Sequence, residues 1–576
     1  MKNVFKGKKA VAILLCTLIL ISMGTYGFAN DEEIRTGKPK ARAEVIEIKK
    51  LYDDDGDKLF ENLSQEMEKA GDEEALPVTI VFKDDFDDAQ REKVETLLGD
   101  YKPKHEFKNI PAVSMNVNKQ KIKELSKLDI IEHIEYDEEV TILNDRADYW
   151  FGTEKARNDF GLDGDRDKNV RSYSKDDVVV AVIDTGIDTN HVDLDGGKII
   201  AWKDYVNERS TPYDDQGHGT HVAGTIAGEG DGNSKYEGVA KGAALIGLKT
   251  LNNRGSGSMS DITAAVDWCI TNKNTYGIDI INMSLGTTGS SNGKDSTSLA
   301  VNNAVANGIT VVVAAGNSGP SRYTIGSPGA AEDAITVANM VDVGEGGFSL
   351  APSSSRGPTA DGRIKPDIGG PGTRIISART NTINGYVTQS GTSMAAPFVA
   401  GTIALMLDAN PNLTPNQIKS ILTSTAQDWA RNGKDIDYGY GRLDAYKAIK
   451  RAGKFSGNNI ELPNHMYASE DLPRKGSADD WEFTVTNRNY PISITLVMPD
   501  WQRSGPSVKP DFDLYLYDPS GKQVKASESS SRQENISFIP STTGKYKIKV
   551  YSYSDSGKYF FDLSAGGSDL ILIQDQ

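Results

Sequence analysis

The sequence holds only two cysteines in 576 residues, and one of them, Cys16, lies inside the N-terminal apolar run from Ala10 to about Met23. The other, Cys269, has no second thiol to pair with, so the chain must be held by its core or by bound metal rather than by disulfides. Cys269 sits in the apolar helical pattern Ile262-Thr-Ala-Ala-Val-Asp-Trp-Cys-Ile270 and reads as a small buried hydrophobe, not a nucleophile. Positive charge is also short. Lys plus Arg is 64 against 81 Asp plus Glu, a formal charge of −17 that argues against nucleic-acid binding and favours solubility. No C-terminal membrane segment, low-complexity tract or repeat longer than a strand is present.

The apolar run follows Lys2, Lys6, Lys8 and Lys9, is shorter than the ~18 residues of a membrane span, and gives way to Gly27-Phe28-Ala29. This predicts a signal peptide over 1–29, hence a secreted, extracellular protein with no membrane attachment once it is cut. The length suggests three or more units. Residues 30–145 are dense in charge, and Pro77–Phe82, Asp87–Leu98, Val113/Met115/Val117, Ile122/Leu125/Leu128 and Ile130–Tyr136 fit a βαββαβ plan of ferredoxin-like α+β type. Residues 31–76 match no usable pattern.

Across 146–453 the composition turns to Gly, Ser, Ala and β-branched residues. Val178–Ile183, Ile278–Met283 and Ile309–Ala315 are continuous apolar runs, as parallel strands buried on both faces should be. Helical stretches at about 260–272, 297–307, 394–408 and 414–424 alternate with them, giving a layered α/β domain. Over 454–576 the helices stop. Trp481/Phe483/Val485, Ile492/Ile494/Leu496 and Tyr546/Ile548/Val550 alternate with polar residues between turns, which predicts an all-β sandwich or jelly roll.

Three segments concentrate chemistry: Val182-Ile-Asp184-Thr-Gly, Asp215-Gln-Gly-His218-Gly-Thr-His221, and Ser390-Gly-Thr-Ser393-Met-Ala-Ala-Pro397. Singly, each has an ordinary reading; Ser393 alone would pass as a helix N-cap. Together they supply a nucleophile, a base and a carboxylate to orient it, each beside glycine, with Asp184 at the end of an apolar strand where α/β sheets bind ligands. His221 follows His218 by three residues, but without the Glu of a His-Glu-x-x-His site it reads as packing rather than as a zinc ligand. An aspartic-protease reading would pair Asp184-Thr-Gly with Asp555-Ser-Gly557, yet the latter stands between strand patterns and reads as a hairpin turn.

The order Asp, His, Ser is the subtilisin order, and residues of roughly 150–450 closely resemble the subtilase family. The resemblance rests on the three segments with Ser284-Leu285-Gly286, Val312-Val-Ala-Ala-Gly-Asn317-Ser-Gly-Pro320 and Ser355-Arg-Gly-Pro358. It implies a subtilisin-like three-layer α/β domain with a mostly parallel sheet, a serine endopeptidase with catalytic Asp184, His218 and Ser393, and Asn317 as the oxyanion donor. Substrate would lie as a strand between Ser284, Leu285, Gly286 and the Gly255–Gly257 segment. A specificity pocket walled by Ala315, Gly316 and Gly326 carries no acid, so basic P1 side chains should be disfavoured.

The N-terminal unit is similar to a subtilase propeptide, which implies a self-processed zymogen, an intramolecular inhibitor, and cleavage between about Tyr136 and Ala147. The C-terminal unit looks like the domain appended to many secreted peptidases. Partners are expected to be protein or peptide substrates and the chain's own propeptide, acting on a monomer without nucleic acid. No organic cofactor is expected, and calcium is the one metal considered. The family's calcium aspartate maps onto Asp193, but the loop Glu229–Glu237 departs from the family pattern. In the sandwich, Asp511, Asp513 and Asp518 lie within one strand and its turn, and carboxylates of this kind suit calcium.

Overall fold

The computed structural model describes residues 53, 56–71, 74–84, 86–99, 101–107, 111–136, 147–169, 171–504 and 507–573. The expected signal segment and the stretch expected to be cut in maturation lie outside these residues. The chain divides into two compact units, Met1–Glu138 and Glu139–Gln576.

In the first unit, a four-stranded antiparallel sheet runs in the order His105–Glu106, Ala112–Asn118, Ala75–Phe82, Ile131–Tyr136. Val78, Ile80, Phe82, Val113, Met115, Val117 and Ile134 are buried together with Val94 of the helix Asp88–Leu98 and with Ile122 and Leu125 of Lys119–Leu125. Asp87 and Asn118 cap those two helices through their side chains, which is why each starts where it does. This is the βαββαβ arrangement, extended by one helix, Glu61–Lys69, that places Leu63 and Met67 in the same core.

In the second unit, an eight-stranded sheet runs in the order Ser349–Leu350, Ile335–Val341, Thr310–Ala314, Ile278–Met283, Val179–Asp184, Ala244–Lys249, Ile199–Asp204, with Ile368–Pro371 pairing Ile335–Val341. All pairings are parallel except that of Ser349–Leu350. Val178, Val180 and Val182 enter one core, while Val179, Ala181 and Ile183 enter a second on the opposite face. A strand apolar at every position is thereby buried on both sides, making three layers.

One face carries the histidine helix His218–Ala227 and the serine helix Thr392–Ala409; the other carries Met259–Tyr276 and Ser296–Ala306, whose Cys269 is fully buried. Burial drives the Cys269 thiol pKa upward, in keeping with an inert packing role. The serine helix is apolar around its whole circumference because it crosses the centre of its layer, against five strands and the histidine helix.

The C-terminal part is a sandwich of two antiparallel sheets, ordered Asn464–Leu472, Gly557–Ala565, Ile492–Val497, Gln533–Phe538 and Gln523–Ser527, Asp511–Tyr517, Gly544–Ser554, Ala478–Val485, Gly567–Ile573. Trp481, Phe483, Val485, Ile492, Ile494, Leu496, Tyr546, Ile548 and Val550, the alternating residues of the sequence, all point into its core.

The sandwich is joined to the α/β domain by a polar seam set in apolar packing. Val497 and Phe560 belong to the α/β core. Arg532 grips Asp437 with two bonds of 2.6 and 3.1 Å and also donates to the Pro320 carbonyl, while Arg356 donates to Gln533 Oε1 at 2.6 Å. Gln533 in turn donates to the Leu350 carbonyl, and Asp562 receives both the Ala430 amide and the His465 ring.

Candidate active site

Strand order places the site. The chain leaves Val179–Asp184 toward Ile199–Asp204, returns through Ala244–Lys249, then continues on the other side through Ile278–Met283 and Thr310–Ala314. The carboxyl ends of the strands on either side of that reversal form a crevice, the usual ligand position in an open α/β sheet. Asp184 ends the first strand, Ser284 follows the fourth, and Asn317 lies just beyond the fifth.

Asp184 is 1% exposed; its Oδ1 accepts from the Thr185 amide at 2.7 Å and lies 2.8 Å from His218 Nδ1, while its Oδ2 has no hydrogen-bond partner. His218 opens its helix, and Gly219 allows the close approach: a Cβ there would stand 2.1 Å from the Gly186 carbonyl oxygen and 3.1 Å from Asp184 Cβ. Asp214 fixes the helix start by accepting from the amides of Gln216, Gly217 and Thr220. Desolvation lowers the His218 pKa, but the attraction and hydrogen bond of Asp184, with Asp214 behind, outweigh it and leave the imidazole raised above 6.5. His221 faces the interior instead. Its Nε2 meets the carbonyls of Ile375 and Val387, and burial pulls its pKa down to about 4, in keeping with a neutral ring packed in the interior.

Ser393 is the second residue of its helix, not the cap; the capping position is Gly391, with φ +150°, where a Cβ would meet Asn317 Nδ2 at 3.2 Å. Pro397 lies in the same helix and lacks the N–H that would bond the Ser393 carbonyl four residues back. Ser284 Oγ donates to that carbonyl at 2.8 Å, and Ser393 Oγ donates to the Ser284 carbonyl at 3.1 Å. Asn317 Oδ1 accepts from the Thr392 amide and hydroxyl, at 3.0 and 3.3 Å, which turns its Nδ2 donor away from the helix.

His218, Ser393 and Asn317 line one cleft of about 640 Å³. Ser284, Leu285, Gly286, Gly255, Gly257, Ala315, Gly316 and Gly326 line it as well, so every residue expected to bind substrate is found on its walls. No carboxylate side chain is among its lining residues.

Sequence reasoning missed Lys249. It is the strand-end neighbour of Asp184, fully buried, and its Nζ bonds the carbonyls of Thr185 and Leu251 and Asp215 Oδ1, bracing the turn between Asp184 and the histidine helix. Its apolar surroundings hid it: in the sequence it is simply the lysine that closes an apolar strand.

The structure does not group the three sandwich aspartates considered for calcium. Asp511 and Asp513 are buried on one strand, but Asp518 lies past its end and closes a turn, its Oδ1 accepting from the Ser520 amide and hydroxyl and the Lys522 amide at 2.9, 2.6 and 3.0 Å. The three are not brought together. Burial, with Glu528 and Asp511 nearby, pushes Asp513 up to about 7. Both oxygens of Asp193 are occupied by protein donors, the Gly232 amide and the Tyr386 hydroxyl. Asp555 stands in the hairpin turn between Gly544–Ser554 and Gly557–Ala565, within the sandwich, and makes no dyad with Asp184.

The subtilase family model matches residues 175–441, that of the Tk-SP N-propeptide domain matches 54–121, and that of the bacterial pre-peptidase C-terminal domain matches 477–552. The chain is 42% identical over 304 residues to serine protease AprX of Bacillus subtilis, covering 49% of this chain and 68% of that one. It is 38% identical over 282 residues to subtilisin DY of Bacillus licheniformis, covering 49% and 93%. With the thermostable alkaline protease of Halalkalibacterium halodurans it shares 35% over 350 residues, 60% and 85%. The chain belongs to the subtilase family and is a subtilisin-like serine endopeptidase with an N-propeptide domain and a C-terminal pre-peptidase domain.

Proposed function

We propose that this endopeptidase cleaves peptide bonds through an acyl-enzyme on Ser393, with His218 as base and Asp184 as its orienting carboxylate. The observation that carries this reading is the 2.8 Å contact between His218 Nδ1 and Asp184 at the edge of a cleft that Ser393 also lines. An imidazole that donates from Nδ1 presents Nε2 as the acceptor. The Ser393 hydroxyl, resting on the Ser284 carbonyl, turns to that nitrogen as substrate enters, since such contacts tighten in the substrate complex. His218 then takes the proton as Ser393 attacks and returns it to the leaving amine, while Asp184 stabilises the imidazolium without becoming protonated. The oxyanion is received by Asn317 Nδ2 and by the Ser393 N–H, a first-turn amide that the helix itself leaves unpaired.

Substrate lies extended between Ser284–Gly286 and Gly255–Gly257. The absence of a carboxylate from the cleft lining favours apolar or uncharged P1 side chains over Lys or Arg. The protein is made with a signal peptide over 1–29 and a propeptide over 30–145. The mature, secreted enzyme comprises the peptidase over 146–453 and the sandwich over 454–576, released by self-cleavage between about Tyr136 and Ala147.

Labelling with a serine-directed fluorophosphonate tests the mechanism: the label is expected on Ser393. Ser393→Ala should lose activity by about 10⁶ in turnover and keep its propeptide. Near-wild-type hydrolysis by that variant, or a label on another serine, would overturn the assignment.

A further inference from the structure

Among the described residues, one group of three acidic side chains is close enough to share an ion: Asp165, Asp167 and Asp177, one oxygen of each lying within 4.8 Å of the others. Asp165 and Asp167 belong to the run Asp163-Gly-Asp-Arg-Asp167, after the helix Thr153–Phe160, and Asp177 lies two residues before the strand that ends at Asp184. Two of the three are interior: Asp177 is 1% exposed and Asp165 6%. In each of these two, Oδ1 is buried and has no hydrogen-bond partner. Asp167 is exposed, and a cavity of about 290 Å³ lined by Asp165, Asn169 and Asp177 opens beside the group.

The backbone holds these carboxylates together. The amides of Asp163 and Gly164 both donate to Asp408 Oδ2 at 3.1 Å, the Gly242 amide donates to the Asp163 carbonyl at 2.7 Å, and the Val178 amide to the Gly164 carbonyl at 3.1 Å. The Ser174 amide occupies the other oxygen of Asp177. The nearby cations are engaged elsewhere. Arg166 bonds Asp279 and the Asp177 carbonyl, Lys168 bonds the Asp165 carbonyl and Asp408, and the buried Lys198, whose charge reaches Asp177, directs its Nζ to the Lys241 and Ala243 carbonyls. The loop thus fixes two buried carboxylates face to face and supplies neither with a donor for its inner oxygen, an arrangement that is costly unless a positive charge enters.

We propose that Asp165, Asp167 and Asp177 form a binding site for a structural divalent cation of the calcium type. All three ligands are hard carboxylate oxygens, with no imidazole or thiolate to favour zinc or copper. Calcium takes six to eight oxygens at roughly 2.3–2.6 Å, so oxygens sharing one ion stand up to about 5 Å apart, as these do. Water from the exposed side completes the shell. The ion ties the loop after Thr153–Phe160 to the residues that lead into the central strand. The competing arrangement is a proton shared between Asp165 and Asp177, which would make the group indifferent to calcium.

The test uses the full chain with Ser393→Ala, to prevent self-digestion, stripped with EDTA and titrated calorimetrically with calcium chloride and, separately, magnesium chloride. The same protein carrying Asp177→Asn or Asp167→Ala is run in parallel. Calcium bound anywhere else is common to all three proteins and cancels in the comparison. The expected result is that each added substitution removes one bound calcium per chain, or weakens one by at least about tenfold, and shrinks the calcium-dependent rise in Tm. Equal stoichiometry, affinity and calcium-dependent Tm in all three would overturn the proposal in favour of the shared proton. Asp167 is exposed and its removal does not threaten folding, so the comparison stands even if Asp177→Asn fails to fold.

Discussion

The catalytic cleft and the seam beneath the sandwich both bring charged side chains together out of water, and they finish the job differently. At the seam, Asp437 receives Arg532 on both oxygens, with Arg356 Nε 3.3 Å from one of them. Burial alone would raise the Asp437 pKa; the two arginines hold it below the usual carboxylate value. In the cleft, Asp184 commits only Oδ1, and the His218 side chain remains 22% exposed. A pair that only has to hold can be closed on every side. In the proposed mechanism this pair gains and loses a proton in each cycle, and the exposed imidazole edge away from Asp184 is the side left open for it.

The largest break in this contrast should come from Asp184→Asn. It preserves shape but removes the charge that favours the imidazolium, and turnover should fall by about 10⁴. The acid limb of kcat/KM should move as well. His218 is raised above 6.5 in the intact enzyme, so activity is lost as pH falls through that pKa. Without the Asp184 charge the desolvation of the ring dominates, and the limb should shift to lower pH. A profile whose acid limb stays in place would show that Asp184 does not set it.

A smaller effect is expected from Asn317→Ala. Its amide is oriented by Thr392, and the loss should be about 10²–10³ in turnover with KM little changed, the scale known for the oxyanion asparagine of subtilisin itself. A change confined to KM would mean that Asn317 binds substrate without favouring the transition state.

The seam should respond in stability rather than in rate. Arg532→Ala leaves Asp437 buried and short of its main partner, at a cost of about 3–5 kcal/mol. Thermal unfolding should reveal a lower Tm, while turnover at 25 °C stays near wild type. A sandwich that merely rides on the surface would show no such loss.

The cleft was far more legible in the sequence than the seam. Asp184, His218 and Ser393 each stand at the end of an apolar run or the start of a small-residue helix, positions with an ordinary reading singly; their combination and the resemblance to the subtilase family pointed to them. Arg356, Asp437, Arg532 and Gln533 break no local pattern; their meaning arises only when segments far apart in sequence pack together. The helix Glu61–Lys69 was missed for a related reason, since its two core residues, Leu63 and Met67, are scattered among charges. The acidic residues show the limit of face-counting. Asp511 and Asp513 alternate along a strand and Asp518 lies in the following turn, as expected, yet the turn does not bring Asp518 back to the other two. Asp165 and Asp167, two apart in a loop, are joined by Asp177 from beyond that loop.

Pro397 leaves a gap in the hydrogen-bond ladder of the serine helix, and Ser284 fills that gap from across the cleft. The start of the helix is therefore registered against Ser284, on the edge proposed to receive the peptide, not solely against its own next turn. Ser284 and Ser393 are thereby tied in both directions, the hydroxyl of each donating to the carbonyl of the other. On the proposed mechanism, a single imino acid four residues downstream thus couples the position of the nucleophile to that of the edge proposed to receive the substrate.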